Sequence, residues 1–179
     1  MMNLDAVRGL SQPDQRSCGP SSLVVARMLV DPVYAATMNP HAFASEVLSL
    51  HRQVTSASGS RIPWPRALGT PPWAVARAMS TYVGVPYSTT VVPFHDRTKL
   101  VARMRAALAA GHPVPFFIGS RWLPRHVVLA VEDLPDGVTV YNPAHGTLVP
   151  MSAADFAAGK LTRLGSWTRP WFVVLPDSV

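Results

Sequence analysis

The chain has 179 residues, of which 48% are hydrophobic and 15% charged. This composition predicts one compact domain over residues 1–179 and excludes a disordered protein. The net charge of +6 suggests an acidic partner, but it comes mostly from isolated arginines without a lysine run, which argues against nucleic acid as that partner. No apolar run reaches the roughly 20 residues of a membrane span. The N-terminus lacks a secretory pattern, so we expect a cytoplasmic protein, or one exported without a cleavable N-terminal signal.

Helical signals fill the first half of the chain. Apolar spacing over residues 19–30 predicts a helix that ends before Pro32, and Asn39-Pro40 begins a second helix. Residues 53–72 are rich in Ser, Gly and Pro, which predicts a long surface loop. Thr70-Pro71 is the cap of a third helix.

Glycine and capping residues predict where the third helix ends and where a fourth helix begins and ends. Gly84 ends the third helix, Asp96 caps the fourth, and Gly111 ends it. Strand patterns follow, rich in β-branched and aromatic residues, at 113–118, 126–131, 138–141, 146–149 and 171–175. Asp136-Gly137 predicts a hairpin turn, and Ser152 caps one short helix. Helices followed by an antiparallel sheet indicate the α+β class.

Cys18 is the only cysteine, and it stands directly before the first predicted helix. A single cysteine excludes intramolecular disulfides and multi-cysteine zinc sites. The positive end of a helix dipole favours thiolate, so we expect a reactive thiol with a lowered pKa. A buried inert cysteine is the alternative, but polar neighbours such as Asp14 and Arg16 argue against it. Gly19 is expected to let a substrate approach the backbone closely.

Gln12 lies six residues before Cys18, and its side-chain amide suits an oxyanion hole together with the Cys18 N–H. Gln15 offers the same chemistry closer to the cysteine. Of the six histidines, His126 opens an apolar strand, and Asn142 ends the strand that follows the hairpin. Antiparallel pairing would bring these two side by side, so that Asn142 orients the imidazole.

Other candidates are weaker than Gln12, Cys18, His126 and Asn142. His145, just beyond Asn142, is the second candidate for the base, but no third residue matches it. Trp122 precedes His126 closely and is a candidate for the wall of a substrate groove. Histidines and acidic residues show no spacing typical of metal ligands, so we expect neither a metal nor a cofactor.

Together these motifs resemble papain-like cysteine peptidases, in particular the branch similar to bacteriocin leader peptidases, which cut after double-glycine leaders. The resemblance rests on Gln12, Cys18-Gly19-Pro20, the strand opened by His126, and Asn142-Pro143-Ala144. In that branch the glutamine completes the oxyanion hole and an aspartate orients the histidine. Asn142 stands at the aspartate's place, as asparagine does in papain-like enzymes generally. The resemblance implies a nucleophile at a helix N-terminus, with the helical part packed on a C-terminal antiparallel sheet.

The sequence thus predicts a cysteine-dependent hydrolase of peptide or isopeptide bonds that works through a thioester. The same constellation serves deamidases and acyl transferases, including toxin effectors, because a thioester accepts water or amine. Two other classes stay open. One is a papain-like toxin that cleaves RNA, and the other is a catalytically silent binding module.

Overall fold

A computed structural model describes residues 3–55, 69–93 and 95–178, with no side-chain placement for Thr55. Six α-helices lie in these ranges: α1 Cys18–Val30, α2 Pro32–Ala36, α3 Pro40–Thr55, α4 Pro72–Val83, α5 Arg97–Ala109 and α6 Ala153–Ala158. The same ranges hold six strands: β1 Tyr87–Val91, β2 Val114–Gly119, β3 Pro124–Leu134, β4 Gly137–Asn142, β5 Thr147–Ser152 and β6 Arg169–Pro176. Asp5–Val7 and Thr162–Leu164 form short 3-10 helices.

All six strands form one sheet in the order β1-β6-β2-β3-β4-β5, and every neighbouring pair is antiparallel. This confirms the predicted α+β class with an antiparallel sheet. The sheet brings the start of β3 beside the ends of β2 and β4, because hairpin connections join these strands in turn. His126 and Asn142 therefore lie at the same end of the sheet, which we call the site end.

Helices cover both faces of the sheet. On one face α1, α3 and α4 pack against alternate strand residues that include Phe117, Val127 and Leu129. On the other face α5 and α6 pack against the intervening residues, such as Phe116 and Val128. Both faces of the central strands are therefore covered, so that β2 and β4 are buried along their whole length and β2 has no polar side chain.

Helix capping agrees with prediction only in part. Asn39 caps α3 as expected, since its Oδ1 accepts from the N–H groups of His41 and Ala42 at 3.0 and 2.9 Å. At α4 the N-cap is Pro71, and the Thr70 hydroxyl makes no capping bond. Asp96 precedes α5 but also makes no cap bond, because its carboxylate binds the Lys99 ammonium at 2.7 Å. The prediction that Thr70 caps α4 is therefore wrong, whereas Asp96 occupies the N-cap position of α5 as predicted, without a side-chain capping bond.

Several element boundaries also differ. α3 continues to Thr55, so the predicted loop 53–72 begins inside a helix, and its stretch 56–68 lies outside the described residues. Besides the two short 3-10 helices, one α-helix and one strand were missed: α2, which Asp31 caps by accepting from the Tyr34 N–H, and the edge strand β1. Within the described ranges, no helix is both long and apolar enough to cross a bilayer.

Candidate active site

Cys18 is the first residue of α1, and its thiol faces the sheet. Its side chain is only 5% exposed and lies in the apolar cluster between α1 and β3. Packing of α1 on β3 is reinforced by the Ser22 hydroxyl, which donates to the Val127 carbonyl at 3.4 Å. The helix therefore holds the sulfur against the backbone of Val127, the residue after His126.

Backbone N–H groups and burial act on the Cys18 thiol in opposite directions. The N–H groups of Val127, Gly19 and Cys18 itself favour the thiolate. Burial has the larger effect, and the negative charge of Asp14 adds to it, so the pKa of Cys18 is raised above its ordinary value. The prediction of a lowered pKa is wrong, because burial removes water from around the sulfur and this outweighs the effect of the helix N-terminus.

His126 and Asn142 meet at the site end. The Nε2 of His126 lies 2.9 Å from the Oδ1 of Asn142, and both side chains are buried. This is the pairing that the hairpin register predicted. When Nε2 carries the proton and donates it to Asn142, Nδ1 is left as the basic nitrogen of a neutral imidazole.

Two further bonds fix the amide of Asn142. Its Nδ2 donates to the Leu164 carbonyl at 3.2 Å, and its Oδ1 also accepts from the Ala144 N–H at 3.1 Å. The oxygen is therefore the atom that faces the imidazole. Burial lowers the pKa of His126; the Asn142 hydrogen bond opposes this effect, and the positive charge of His145 adds to it. The lowered pKa of His126 favours the neutral imidazole, the state that a general base requires.

The segment that carries Gln12 lies along the turn after β4. The Gly9 N–H donates to the Gly146 carbonyl and the Gln12 N–H to the Pro143 carbonyl, both at 2.8 Å. The Tyr141 hydroxyl donates to the Leu10 carbonyl. The Nε2 of Gln12 donates to the Asp14 carbonyl at 2.8 Å, while its Oε1 is buried without a hydrogen-bond partner. Gln12 thus lies between the Asn142 turn and the start of α1.

Packing explains why residue 19 is a glycine, which the sequence did not reveal. A Cβ at this position would lie 2.5 Å from the Oγ1 and 2.7 Å from the Cβ of Thr70. Thr70 is fully buried, and its hydroxyl has no hydrogen-bond partner. The space beside Gly19 is therefore occupied by Thr70, which packs the entry to α4 against the first turn of α1.

Trp122 lies on the loop between β2 and β3, four residues before His126, and is 70% exposed. The Arg121 guanidinium stacks on its ring at 4.2 Å from the centroid. His145 is exposed in the turn after Asn142, and Gln15 is exposed in the loop before α1. Within residues 3–55, 69–93 and 95–178, no three His, Cys, Asp or Glu side chains cluster as metal ligands would.

Comparisons with known proteins identify the fold. No protein-family model and no curated protein matches the chain. Among solved structures it is similar to the peptidase domain of Streptococcus ComA, a bifunctional ABC transporter of a quorum-sensing pathway. That match has a TM-score of 0.51 and 14% identity, and it covers 94% of this chain and 97% of that one.

A double-glycine-motif protease from an AMS/PCAT transporter, solved with the leader peptide, also matches. Its TM-score is 0.48 at 15% identity, over 93% of this chain and 89% of that one. The match to the ComA domain spans nearly the full length of both chains, so the similarity includes both the helical part and the sheet of this chain. The chain therefore has the fold of the ComA peptidase domain, which in this chain consists of helices packed on an antiparallel sheet.

Proposed function

We propose that the chain is a cysteine-dependent hydrolase that cleaves peptide or isopeptide bonds through a thioester on Cys18. The observation that carries the proposal is the buried hydrogen bond of 2.9 Å between His126 and Asn142. It lies beside the N–H of Val127, the residue after His126, and this N–H favours the Cys18 thiolate. Covalent acyl transfer needs an oriented imidazole close to a nucleophile, and here the imidazole belongs to the residue before Val127, whose N–H acts on the thiol at the start of α1. Trp122 is proposed to contact the substrate.

In the proposed reaction, Nδ1 of His126 takes the proton of the Cys18 thiol as the sulfur attacks the scissile carbonyl carbon. The C–N bond then breaks, and the leaving amine receives that proton from His126. Water, activated by the same nitrogen, hydrolyses the thioester and restores the thiol. Because burial disfavours both the thiolate and the imidazolium, we expect both groups to be neutral before substrate binds.

Gln12 and the N–H of Cys18 are proposed to stabilise the oxyanion. One hydrogen of the Gln12 Nε2 is used by the Asp14 carbonyl, so the other is available to a substrate oxygen. Asn142 is proposed to hold His126 in the tautomer that leaves Nδ1 basic. Gly19 is proposed to contribute indirectly, because its missing side chain lets Thr70 pack against the first turn of α1.

The test is digestion of a proteome-derived peptide library, followed by mass spectrometry of the quenched enzyme. We expect defined new peptide ends, and an acyl adduct on the tryptic peptide that contains Cys18. Cys18→Ala should abolish both, whereas Cys18→Ser should keep the fold and lose at least most of the cleavage. Cleavage by Cys18→Ala at the wild-type rate would refute the proposal.

A further inference from the structure

Three segments form one continuous surface at the site end of the sheet: residues 119–126, 142–147 and 165–169. Gly119 pairs with Pro124 on one side and with Arg169 on the other. His126 joins the first segment to the second through Asn142. We call this the site-end surface, and it surrounds the proposed catalytic histidine.

The charge of the site-end surface has one sign. Its segments read GSRWLPRH, NPAHGT and GSWTR, with three arginines and no acidic residue. The opposite end of the sheet carries half of the chain's ten acidic residues: Glu132, Asp133, Asp136, Asp155 and Asp177. At that opposite end arginines lie among the carboxylates, as Arg105 does beside Asp133, whereas the three segments of the site-end surface contain arginines alone.

Two other carboxylates, those of Asp14 and Asp96, lie nearer the site end, and each already has a hydrogen-bond or ion-pair partner. Asp14 precedes α1, and its Oδ1 accepts from the Arg16 N–H at 2.7 Å. Asp96 begins α5 and binds the Lys99 ammonium at 2.7 Å. Neither belongs to the three segments, and Arg121 and Arg125 are both exposed on the site-end surface.

Large apolar side chains share this surface with the arginines. Trp122, Leu123 and Trp167 are 70%, 39% and 36% exposed. The loop that presents the first two is held in place, since the Ser120 Oγ accepts from their N–H groups at 3.2 and 3.1 Å. The indole N–H of Trp171 donates to the Ser120 carbonyl at 3.0 Å. Exposed aromatic residues on a fixed loop beside arginines are typical of an interaction surface.

We propose that the site-end surface binds an acidic segment of the substrate, in which Asp or Glu side chains are interspersed with apolar ones. The arginines, Arg121 and Arg125 foremost, pair with the carboxylates, while Trp122 and Leu123 cover the apolar side chains. This inference rests on the proposed function, because the peptide would be the one cleaved at Cys18. RNA also carries negative charge, but it offers no acyl group to a thiol nucleophile, so the chemistry of the adjoining site favours a peptide.

Binding can be measured without turnover, using Cys18→Ala protein and fluorescein-labelled peptides of identical length. One peptide combines Glu with Leu and Phe, and its matched partner carries Gln at every Glu position. Fluorescence anisotropy should show that the Glu peptide binds several-fold more tightly, and that added salt removes the difference. Equal binding of the two peptides would overturn the inference.

Variants then locate the binding surface. Arg121→Gln/Arg125→Gln should weaken binding of the Glu peptide by roughly fivefold, since exposed charge pairs contribute little individually. Arg103→Gln, an exposed arginine at the opposite end of the sheet, is the control and should change nothing. Loss of binding in the control variant alone, or tighter binding of an oligoribonucleotide of equal charge, would contradict the assignment.

The two proposals fail separately. If wild-type protein cleaves library peptides with no preference for Asp or Glu near the cut, and the Glu peptide binds no better than the Gln peptide, only the present inference fails. If the Glu peptide binds at the site-end surface but no peptide is cleaved, the surface assignment stands and the hydrolase proposal fails.

Discussion

Asn142 fixes both the position and the tautomer of His126 through one oxygen. That oxygen is 2.9 Å from the imidazole Nε2, and the amide cannot turn over without losing its bonds to Ala144 and Leu164. The residue therefore acts as a positioning group in the proposed mechanism. Asn142 orients the imidazole as a neutral group, so His126 keeps the lowered pKa that burial gives it.

Substitution of Asn142 tests this role. We expect Asn142→Ala to lower kcat/KM of peptide cleavage by about 100-fold, since an unoriented base loses much of its contribution. Asn142→Asp keeps an acceptor but adds a negative charge, which stabilises the imidazolium. The acidic limb of its pH–rate profile should therefore move to higher pH than in the wild type. Unchanged profiles in both variants would exclude a role for this residue in orienting His126.

The raised pKa of Cys18 predicts its alkylation behaviour. Only the thiolate reacts with iodoacetamide, so a folded-state pKa above the ordinary value moves half-maximal labelling to a pH above about 8.5. The same protein in denaturant should titrate near 8.5 and serves as the control. Because the folded pKa is the higher one, the unfolded state loses its proton first, and stability should fall as pH rises through that interval. A folded-state midpoint below pH 7 would contradict the structure.

At the scale of elements, a turn and an N-terminal segment complete the site. Gly146 has φ +62°, and a Cβ there would lie 2.8 Å from backbone atoms of Gly9 and Leu10. The glycine therefore lets the segment before Gln12 dock against the turn after Asn142. Docking is also supported by the Tyr141 hydroxyl, which donates to the Leu10 carbonyl.

Gly146→Ala should displace that segment, and Gly84→Ala is the matched control. Both glycines have positive φ, so each substitution costs about 1–2 kcal/mol of backbone strain, but the space beside Gly84 is empty. We expect Gly146→Ala to lose an additional 1 kcal/mol or more in denaturant unfolding, and to lose peptide cleavage by its effect on Gln12. Equal losses of stability and activity in the two variants would show that the segment does not depend on this contact.

Elements with strong local signals were predictable from the sequence, and those defined by tertiary contacts were not. The Asn39 cap and the pairing of His126 with Asn142 follow from short-range chemistry and hairpin register. By contrast, β1 is a half-exposed edge strand whose pattern is weak, and the contact of Thr70 with Gly19 joins residues far apart in the chain. The sign of the Cys18 pKa shift was missed for the same reason, since burial is a property of the whole fold.

On the scale of the whole molecule, two apolar clusters share the same strands. Phe117 packs toward α1 and Phe116 toward α5, so neither cluster can lose its order without exposing the other side of β2. The candidate site also depends on two parts of the molecule, since Cys18 belongs to helix α1 and His126 to the sheet. One domain of this construction should unfold as a unit.

Denaturant unfolding tests the prediction of a single domain. We expect tryptophan fluorescence and far-ultraviolet circular dichroism to report one coincident transition. Phe156→Ala removes a fully buried ring that contacts Phe116 on the α5 face, and it should destabilise the entire protein by about 3–5 kcal/mol. Two separate transitions, or loss of only one signal in the variant, would indicate independent halves.

The most direct measurement compares peptide cleavage by Cys18→Ala, His126→Ala and the double variant. If the thiol and the imidazole work as one unit, either single substitution removes nearly all the activity that the pair supplies. The double variant should then be no slower than the slower single variant, within a fewfold. Losses that multiply in the double variant, or His126→Ala protein with wild-type activity, would show that the two residues do not act together.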